Sequence, residues 1–226
     1  MNIKNNKRGG YYWIDGKPYI SVTKVIDILN KPQLMYWYGK QVYLAMVKNP
    51  TLSEKEAMSA PYQASDKAKS RGSTVHSVIE FYVHKQKYID SVPEEFKPYA
   101  TAFYQWVKDN KVTIVGHEKT LVSKKHNYAG TCDMIAKLNG NDELIVVDIK
   151  TSKGGAIYKE SELQVSAYVN ALKEEGMDIS RGMVVALSDT GKYATKEADD
   201  EFETFLACKK IYEWINKDEL KTIRKE

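Results

Sequence analysis

The sequence predicts one α/β or α+β domain with a largely helical N-terminal half. Three observations predict this fold. Apolar residues recur at helical spacing in most segments before residue 110, three consecutive strand-like segments follow, and a helix, a strand and a helix then alternate. The length of 226 residues suits a single domain, expected here to comprise an N-terminal part, residues 1–96, and a core, residues 97–226.

The N-terminal part begins with a predicted hairpin. Asp15-Gly16 is a turn-forming pair between two short runs rich in Tyr and Ile, so residues 11–20 are expected to form two paired strands. Ser21 has the side chain of a helix N-cap and predicts a short helix that continues to residue 30. Another helix is expected over residues 33–47.

The next helical segment has a recognisable start. Ser53 and Glu56 have the spacing of a capping box, in which each residue bonds the other's backbone N–H. After Pro61 the pattern predicts a longer helical tract that ends near Lys87. Gly72 is expected to interrupt this tract, so that two helices could meet there.

The core combines strands with flanking helices. Its predicted elements are a helix over 97–109, strands over 112–122, 130–138 and 143–150, a helix over 159–175, a strand over 181–187, a short edge strand after Gly191-Lys192 and a final helix ending near Trp214.

Composition narrows the class of protein. Charged residues make up 28% and hydrophobic residues 42% of the chain, and no apolar segment approaches the roughly 18 residues of a membrane helix. The N-terminus lacks the apolar segment of a secretory signal, and two cysteines cannot supply a four-thiolate site. We therefore expect a cytoplasmic protein in a reducing setting. The net charge of +4 is only mildly basic, although lysines cluster near Lys67 and Lys124.

Two aspartates in the predicted strands are expected to lie close together. Side chains alternate along a strand, so Asp148 and Lys150 share a face with aliphatic residues such as Val146. Residues 139–142 form a strong turn signal, and a four-residue loop there places Asp133 opposite Asp148. A two-residue turn would pair Asp133 with Val146 instead.

Carboxylates as close as those of Asp133 and Asp148 repel each other unless a cation or proton lies between them. Oxygen ligands favour Mg²⁺ or Mn²⁺, which complete their coordination with water and phosphate. Lys150 would then be a positive charge suited to orienting a nucleophile or stabilising a phosphate. The plain alternative is a salt bridge between Asp148 and Lys150 at the end of a strand.

Two further polar pairs fall at helical spacing. His76 and Glu80 share one helix face, and an imidazole near the two aspartates would be a third metal ligand. The alternative is a packed or surface histidine. Gln164 and Tyr168 share a face of the helix that follows the Asp148 strand, and their alternative is a buried pair that satisfies its own hydrogen bonds.

The order of these motifs is more specific than any one of them. Gly-Ser-Thr-Val-His-Ser-Val-Ile-Glu at 72–80 is followed by Gly-Thr-x-Asp at 130–133, Asp-x-Lys at 148–150 and Gln-x-x-x-Tyr at 164–168. This order resembles the PD-(D/E)xK nuclease superfamily and, within it, the RecB-type branch. Residues 20–37 add a weaker likeness to the N-terminal region of phage exonucleases and the mitochondrial genome-maintenance exonuclease.

The resemblance implies a restriction-endonuclease-like α/β core, with a central mixed β-sheet flanked by helices, beside the helical N-terminal half. It implies that His76, Asp133, Asp148 and the backbone carbonyl of Ile149 bind the metal ion, and that Lys150 is the catalytic lysine. Asp148 occupies a position where many members have Glu. Residues expected to bind substrate or support the site are Gln164, Tyr168, Thr151, Glu80, Glu118, Arg71 and Lys153.

The implied function is metal-dependent hydrolysis of phosphodiester bonds in DNA. We expect an exonuclease that acts on single-stranded DNA or DNA ends in replication, recombination or repair, with Mg²⁺ or Mn²⁺ as cofactor and no iron–sulfur cluster. Basic residues near Lys67 and Lys69 would hold the DNA backbone, and Tyr36, Trp37 or Tyr38 would stack on unpaired bases. A phage-encoded protein working with a helicase, recombinase or single-strand-binding protein, and with no membrane, fits this expectation.

Three alternatives to an exonuclease are open at this stage. An endonuclease would use the same residues. A catalytically silent or partner-dependent nucleic-acid-binding protein on the same fold would have no need for two carboxylates that repel each other. A glycosidase also uses paired carboxylates, but it offers no role for Lys150 or His76.

Overall fold

The computed structural model describes residues 6–83 and 92–223, which form a mixed β-sheet with helices on both faces. The strands are β1 (Asn6–Arg8), β2 (Tyr11–Ile14), β3 (Lys17–Ser21), β4 (Thr113–Ser123), β5 (Tyr128–Lys137), β6 (Leu144–Ser152), β7 (Ile179–Ser188) and β8 (Tyr193–Ala198). The helices are α1 (Val22–Ile26), α2 (Pro32–Lys48), α3 (Glu54–Val83), α4 (Lys97–Asp109), α5 (Glu160–Glu174), α6 (Phe202–Ile215) and α7 (Lys217–Ile223). The α/β class with a central mixed sheet is therefore confirmed.

The sheet joins the two parts of the chain. Its strands follow the order β1-β2-β3-β5-β6-β7-β8, and β4 pairs with β5 outside this path. The predicted hairpin is β2 and β3, with Tyr11 opposite Ile20. β3 joins the core by pairing in parallel with β5, and β6 pairs in parallel with β7, whereas the other pairs are antiparallel.

Strand β5 carries a fork in the sheet. β4 pairs with one edge of β5 over its whole length, 128–137. On the other edge, β3 pairs with residues 128 and 129, and β6 pairs with residues 134–136. Within the described residues, no strand therefore pairs with 130–133 on that edge. The sheet opens there between β3 and β6, and Asp133 lies in the opening.

The loop after β5 sets the register of β6. Met134 lies opposite Val147, and Ile135 lies opposite Val146. This is the register of the four-residue loop, so Asp133 comes opposite Asp148. The alternative pairing of Asp133 with Val146 is excluded.

Each face of the sheet is covered by a separate apolar cluster. On one face α1, α5 and α6 pack against the strands through buried residues such as Val25, Val165 and Phe205. On the other face α3 and α4 contribute Val75 and Trp106. The apolar side chains on both faces of β5 and β6 are therefore buried, which fixes the positions of the polar residues on these two strands.

The helical tract before residue 84 differs from the prediction. The capping box is present, because the backbone N–H and the hydroxyl of Ser53 donate to Glu56 Oε2 at 2.8 and 2.6 Å. The helix that starts there continues through Pro61 and Gly72 as one 30-residue helix, so the predicted interruption is wrong.

A proline costs a helix interior about 3 kcal/mol and a glycine about 1 kcal/mol. Packing offsets these costs in α3, because Val75 and Ile79 are buried against the sheet and the first half of the helix packs on α2. The predicted end near Lys87 lies outside the described residues.

Most other boundaries fall within about two residues of their predicted positions, the usual uncertainty of helix ends. Ser21 caps α1 as expected and accepts a hydrogen bond from the Lys24 backbone at 3.1 Å, but α1 ends at Ile26 and not at residue 30. The strand β1 and the helix α7 were not predicted. Across the described ranges, no helix combines the length and apolar character that crossing a bilayer requires.

Candidate active site

Three carboxylates occupy matching positions on three neighbouring strands. Asp133 on β5 lies opposite Asp148 on β6, by the register in which Met134 faces Val147. Asp133 also lies opposite Glu118 on β4, by the register of the residues on either side of Glu118. The row crosses the sheet at the fork described above.

Glu118 has an unusual backbone conformation. Its φ is +45°, in the left-handed region that a residue with a side chain rarely adopts. Such a conformation costs about 1–3 kcal/mol and persists only where the surrounding structure holds it. A register shift between Ile114 and Gly116 lies just before it on β4. Together these irregularities change the direction of the Glu118 side chain relative to a regular strand.

Helix α3 brings His76 to this row. His76 Nδ1 lies 3.5 Å from Asp133 Oδ1 and 3.7 Å from Glu118 Oε1. Within the described part of the chain, these three residues form a group whose donor atoms all lie within 4.8 Å of one another. The His76 side chain is 30% exposed and that of Glu118 is 48% exposed, so solvent reaches the group.

The Asp133 carboxylate is held in the fork by the backbone of β6. Its Oδ2 accepts a hydrogen bond from the Ile149 N–H at 2.6 Å, which leaves Oδ1 toward His76. Burial and the neighbouring charge of Asp148 raise the pKa of Asp133 to about 7, against the opposing effects of His76, Lys150 and the Ile149 amide. A cation beside Asp133 would favour its ionised form.

The charge of His76 responds to the same neighbours. Burial lowers the pKa of its imidazole, but the contact with Glu118 and the charges of Asp133 and Asp148 outweigh burial, and the pKa is raised. Without a cation, the neighbouring acidic groups therefore favour the protonated form of the His76 imidazole. A divalent ion would take over the role of that proton.

A second polar network lies next to this group. Asp148 is 1% exposed, and its Oδ1 accepts hydrogen bonds from Gln164 Nε2 at 2.9 Å and from Lys150 Nζ at 3.2 Å. Its Oδ2 lies 2.9 Å from Lys150 Nζ but accepts no well-directed hydrogen bond in the described residues. Lys150 also donates to Gln164 Oε1 at 2.9 Å, and Gln164 donates to Tyr168 Oη at 2.8 Å.

This network keeps Lys150 charged. Burial lowers the pKa of its ammonium, but the charges of Asp148 and Asp133 outweigh burial, and the pKa is raised. The Lys150 side chain as a whole is 36% exposed. An ammonium has three N–H donors, and Asp148 and Gln164 use two of them. Within the described residues, no further group accepts from Lys150, which leaves its third N–H for a substrate oxygen.

Tyr168 sets the requirement for a glycine in β5. A Cβ added at Gly130 would come within 2.5 Å of Tyr168 Cε1, so the ring lies directly against the Gly130 backbone. The buried phenol, whose pKa burial raises well above its usual value, stays neutral and accepts from Gln164. Gly130 thus allows α5 to bring Gln164 and Tyr168 to the fork.

The predicted site residues fall into two neighbouring groups. His76 and Asp133 lie together with Glu118, which the resemblance placed only among the supporting residues. Asp148 is outside this donor group, and its Oδ1 accepts from Lys150 and Gln164; its role as a metal ligand stays a prediction. The Ile149 N–H contacts Asp133, and the role of the Ile149 carbonyl as a ligand stays a prediction.

The remaining predicted residues lie further from these groups. Glu80 is exposed one helical turn after His76 and is not in the donor group. Arg71 donates to Tyr99 Oη at 3.3 Å, which ties α3 to α4. Thr151 Oγ1 lies close to Gly72 of α3, and Lys153 is exposed in the turn after β6.

One neighbour of the site was not predicted from the sequence. Tyr12 of the N-terminal hairpin forms a hydrogen bond to Thr131 Oγ1 at 3.2 Å, and its buried hydroxyl is close enough to Glu118 for that charge to help raise its pKa. No local motif marks Tyr12, because its position depends on the parallel pairing of β3 with β5.

The donor set fits a hard divalent cation. Two carboxylates and one imidazole provide oxygen and nitrogen donors, and carboxylate oxygens suit Mg²⁺ and Mn²⁺. The pKa of Asp133, which burial and the charge of Asp148 raise to about 7, also indicates a carboxyl group that a neighbouring cation would stabilise in its ionised form. His76, Glu118 and Asp133 are therefore the residues that would hold the ion.

Comparisons with known proteins give distant structural similarity only. No protein-family model and no curated protein matches the chain. The crystal structure of an alkaline exonuclease (LHK-Exo) from Laribacter hongkongensis is similar at 12% identity and a TM-score of 0.42, covering 90% of this chain and 94% of that one. The same exonuclease in complex with dAMP has 12% identity, a TM-score of 0.33 and the same coverage. The crystal structure of SSO0001 has 15% identity and a TM-score of 0.39, covering 87% of this chain and 75% of that one. Values this low do not transfer an activity, which must be argued from the residues of the site.

Proposed function

We propose that this chain is a divalent-metal-dependent nuclease that hydrolyses phosphodiester bonds in DNA. One observation carries the proposal: the donor group of His76, Glu118 and Asp133 lies beside a charged Lys150 held by Asp148 and Gln164. A site for a cation next to a fixed ammonium is suited to a phosphate group, which carries negative charge that increases during hydrolysis.

When bound, Mg²⁺ or Mn²⁺ would supply Lewis-acid charge that activates water and neutralises the phosphate. The chain's own residues supply position and further charge. Asp133 is fixed by the Ile149 amide, so its free oxygen faces His76 and Glu118. Lys150 is fixed by Asp148 and Gln164, so its remaining N–H can donate to a phosphate oxygen or orient the attacking water.

Within this function we propose an exonuclease that acts on single-stranded DNA or on DNA ends, as the sequence resemblance implies. The test uses end-labelled linear single-stranded DNA, linear duplex and circular single-stranded DNA, with Mg²⁺, Mn²⁺ or EDTA. We expect metal-dependent loss of the linear substrates and no cutting of the circle. The label that disappears first gives the polarity.

The Lys150→Ala variant is the control for contaminating nucleases, and we expect it to be inactive. Cutting of the circular substrate by the wild type would show an endonuclease. Metal-independent cleavage would contradict the proposal. A folded wild type that binds DNA but cleaves no substrate would favour the silent nucleic-acid-binding protein on the same fold.

A further inference from the structure

Helix α2 presents an unusual surface. None of its 17 residues is buried, although the helix contains many large apolar side chains. Tyr36 is 77% exposed, Met35 75%, Tyr43 66% and Val47 60%. Exposed apolar residues in such number on one element mark an interaction site.

The exposed tyrosines share one face with a lysine. Tyr36, Lys40 and Tyr43 are spaced at i, i+4 and i+7, which places them along one side of a helix. Seven residues of helix span about 10 Å, so Lys40 lies between two tyrosine positions about that far apart along the helix axis. We call these three residues the α2 face.

Helix α2 and its flanking residues carry charge of one sign, although Lys31 Nζ lies 3.8 Å from Asp27 Oδ1 and 3.7 Å from Glu160 Oε1. Residues 28–53 contain three lysines, Lys31, Lys40 and Lys48, and no Asp or Glu. A surface of this kind is complementary to a polyanion. Aromatic rings that alternate with a cation match the alternation of bases and phosphates along a single strand, in which the bases are free to stack.

We propose that the α2 face binds single-stranded DNA, with bases stacked on Tyr36 and Tyr43 and a phosphate held by Lys40. The inference rests on the proposed function, because it names the element that holds the strand near the site of cleavage. A second copy of the chain is a poorer occupant, since a symmetric contact would bring lysines together without a carboxylate to pair them. A lipid surface is also a poorer occupant, since Lys40 lies within the apolar face and not opposite it.

Helix α3 connects the α2 face to the candidate active site. Tyr62 of α3 packs edge-on against Tyr38 of α2, with ring centroids 5.8 Å apart, which anchors α2 on the first half of α3. His76 lies on the second half of the same continuous helix. The distance along α3 from Tyr62 to His76 is about 21 Å. A strand bound on α2 is thus connected by one continuous helix to the metal-binding group.

The test is binding of a fluorescein-labelled oligo(dT) to the full chain in EDTA, followed by fluorescence anisotropy, so that cleavage does not enter the measurement. We expect Tyr36→Ala and Tyr43→Ala each to weaken binding roughly tenfold, since a base stacked on an aromatic ring contributes about that much. Tyr36→Phe and Tyr43→Phe keep the ring and should bind like the wild type. Lys40→Gln should lower the slope of log K against log salt by about 0.7.

Trp214→Ala is the matched control, because it removes an aromatic residue of α6 that is 79% exposed. Binding unchanged by the alanine substitutions of the tyrosines, or weakened as much by Trp214→Ala, would overturn the inference. A wild-type dimer that the tyrosine variants convert to monomer in sedimentation would overturn it in favour of a contact between copies. If the α2 variants bind normally and the wild type still cleaves DNA, the inference about α2 fails while the proposed function stands. Failure of the inference is thus distinguishable from failure of the proposed function.

Discussion

At the residue scale, Lys150 and Asp148 stabilise each other. The carboxylate keeps the ammonium charged, and the ammonium compensates the charge of the buried carboxylate. Asp148 is 1% exposed and its charge is compensated by Lys150. Loss of the lysine therefore affects both catalysis and folding, because it leaves a buried carboxylate without its cation.

We predict that Lys150→Ala abolishes nuclease activity and lowers the free energy of unfolding by about 1–3 kcal/mol, the cost of leaving a buried polar group unpaired. Urea unfolding and the gel assay measure the two effects. Adding Asp148→Asn to this variant removes the uncompensated charge and should restore much of the stability without restoring activity. Cleavage by Lys150→Ala at the wild-type rate would contradict the role of the lysine.

Glu118 and Glu80 were both expected from the sequence only as supporting residues, but they differ in their relation to the metal-binding group. Both are exposed carboxylates near His76, but only Glu118 belongs to the donor group. We predict that Glu118→Gln weakens Mn²⁺ binding at least tenfold, or about 1.4 kcal/mol. The matched variant Glu80→Gln should bind Mn²⁺ like the wild type.

Titration calorimetry measures the Mn²⁺ affinity directly, and the rise in melting temperature with Mn²⁺ gives an independent measure that needs no DNA. The opposite result, in which Glu80→Gln loses Mn²⁺ and Glu118→Gln keeps it, would place the ligands along α3 and exclude Glu118.

At the scale of elements, α5 reaches the fork only because β5 has a glycine there. Gly130→Ala would drive a Cβ to within 2.5 Å of the Tyr168 ring and displace Gln164 with it. We predict a destabilisation of about 1–3 kcal/mol, typical of overpacking, together with reduced activity. Gly39→Ala is the control, because nothing lies within 4 Å of its added Cβ and α2 should gain up to about 1 kcal/mol in helix propensity. Equal melting temperatures for Gly130→Ala and the wild type would contradict this packing.

The elements themselves were largely predictable from local patterns. The turn residues 139–142 favoured the register that brings Asp133 opposite Asp148, with a two-residue turn as the open alternative, and the capping box at Ser53 indicated the start of α3. The continuity of α3 through Pro61 was not predictable, since packing on α2 and the sheet offsets the local cost. The position of Glu118 was not predictable either, because it depends on a positive φ next to a register shift, which no local pattern marks.

At the scale of the whole molecule, the fork in the sheet is what assembles the site. Within the described chain, one edge of β5 has no strand partner at residues 130–133. The carboxylate of Asp133 lies at that edge and accepts a hydrogen bond from the Ile149 N–H. α3 approaches from one face of the sheet with His76, and α5 from the other with Gln164. The metal-binding group and the lysine network thus meet at the opening of the sheet between β3 and β6, between the apolar clusters of its two faces.

We propose that His76, Glu118 and Asp133 together hold a divalent cation. Anomalous diffraction from a crystal soaked in Mn²⁺ tests it most directly. We predict an anomalous peak within coordination distance of all three side chains, next to Lys150. A crystal of the active protein with no peak at this group, or with its Mn²⁺ bound only by other residues, would contradict the account.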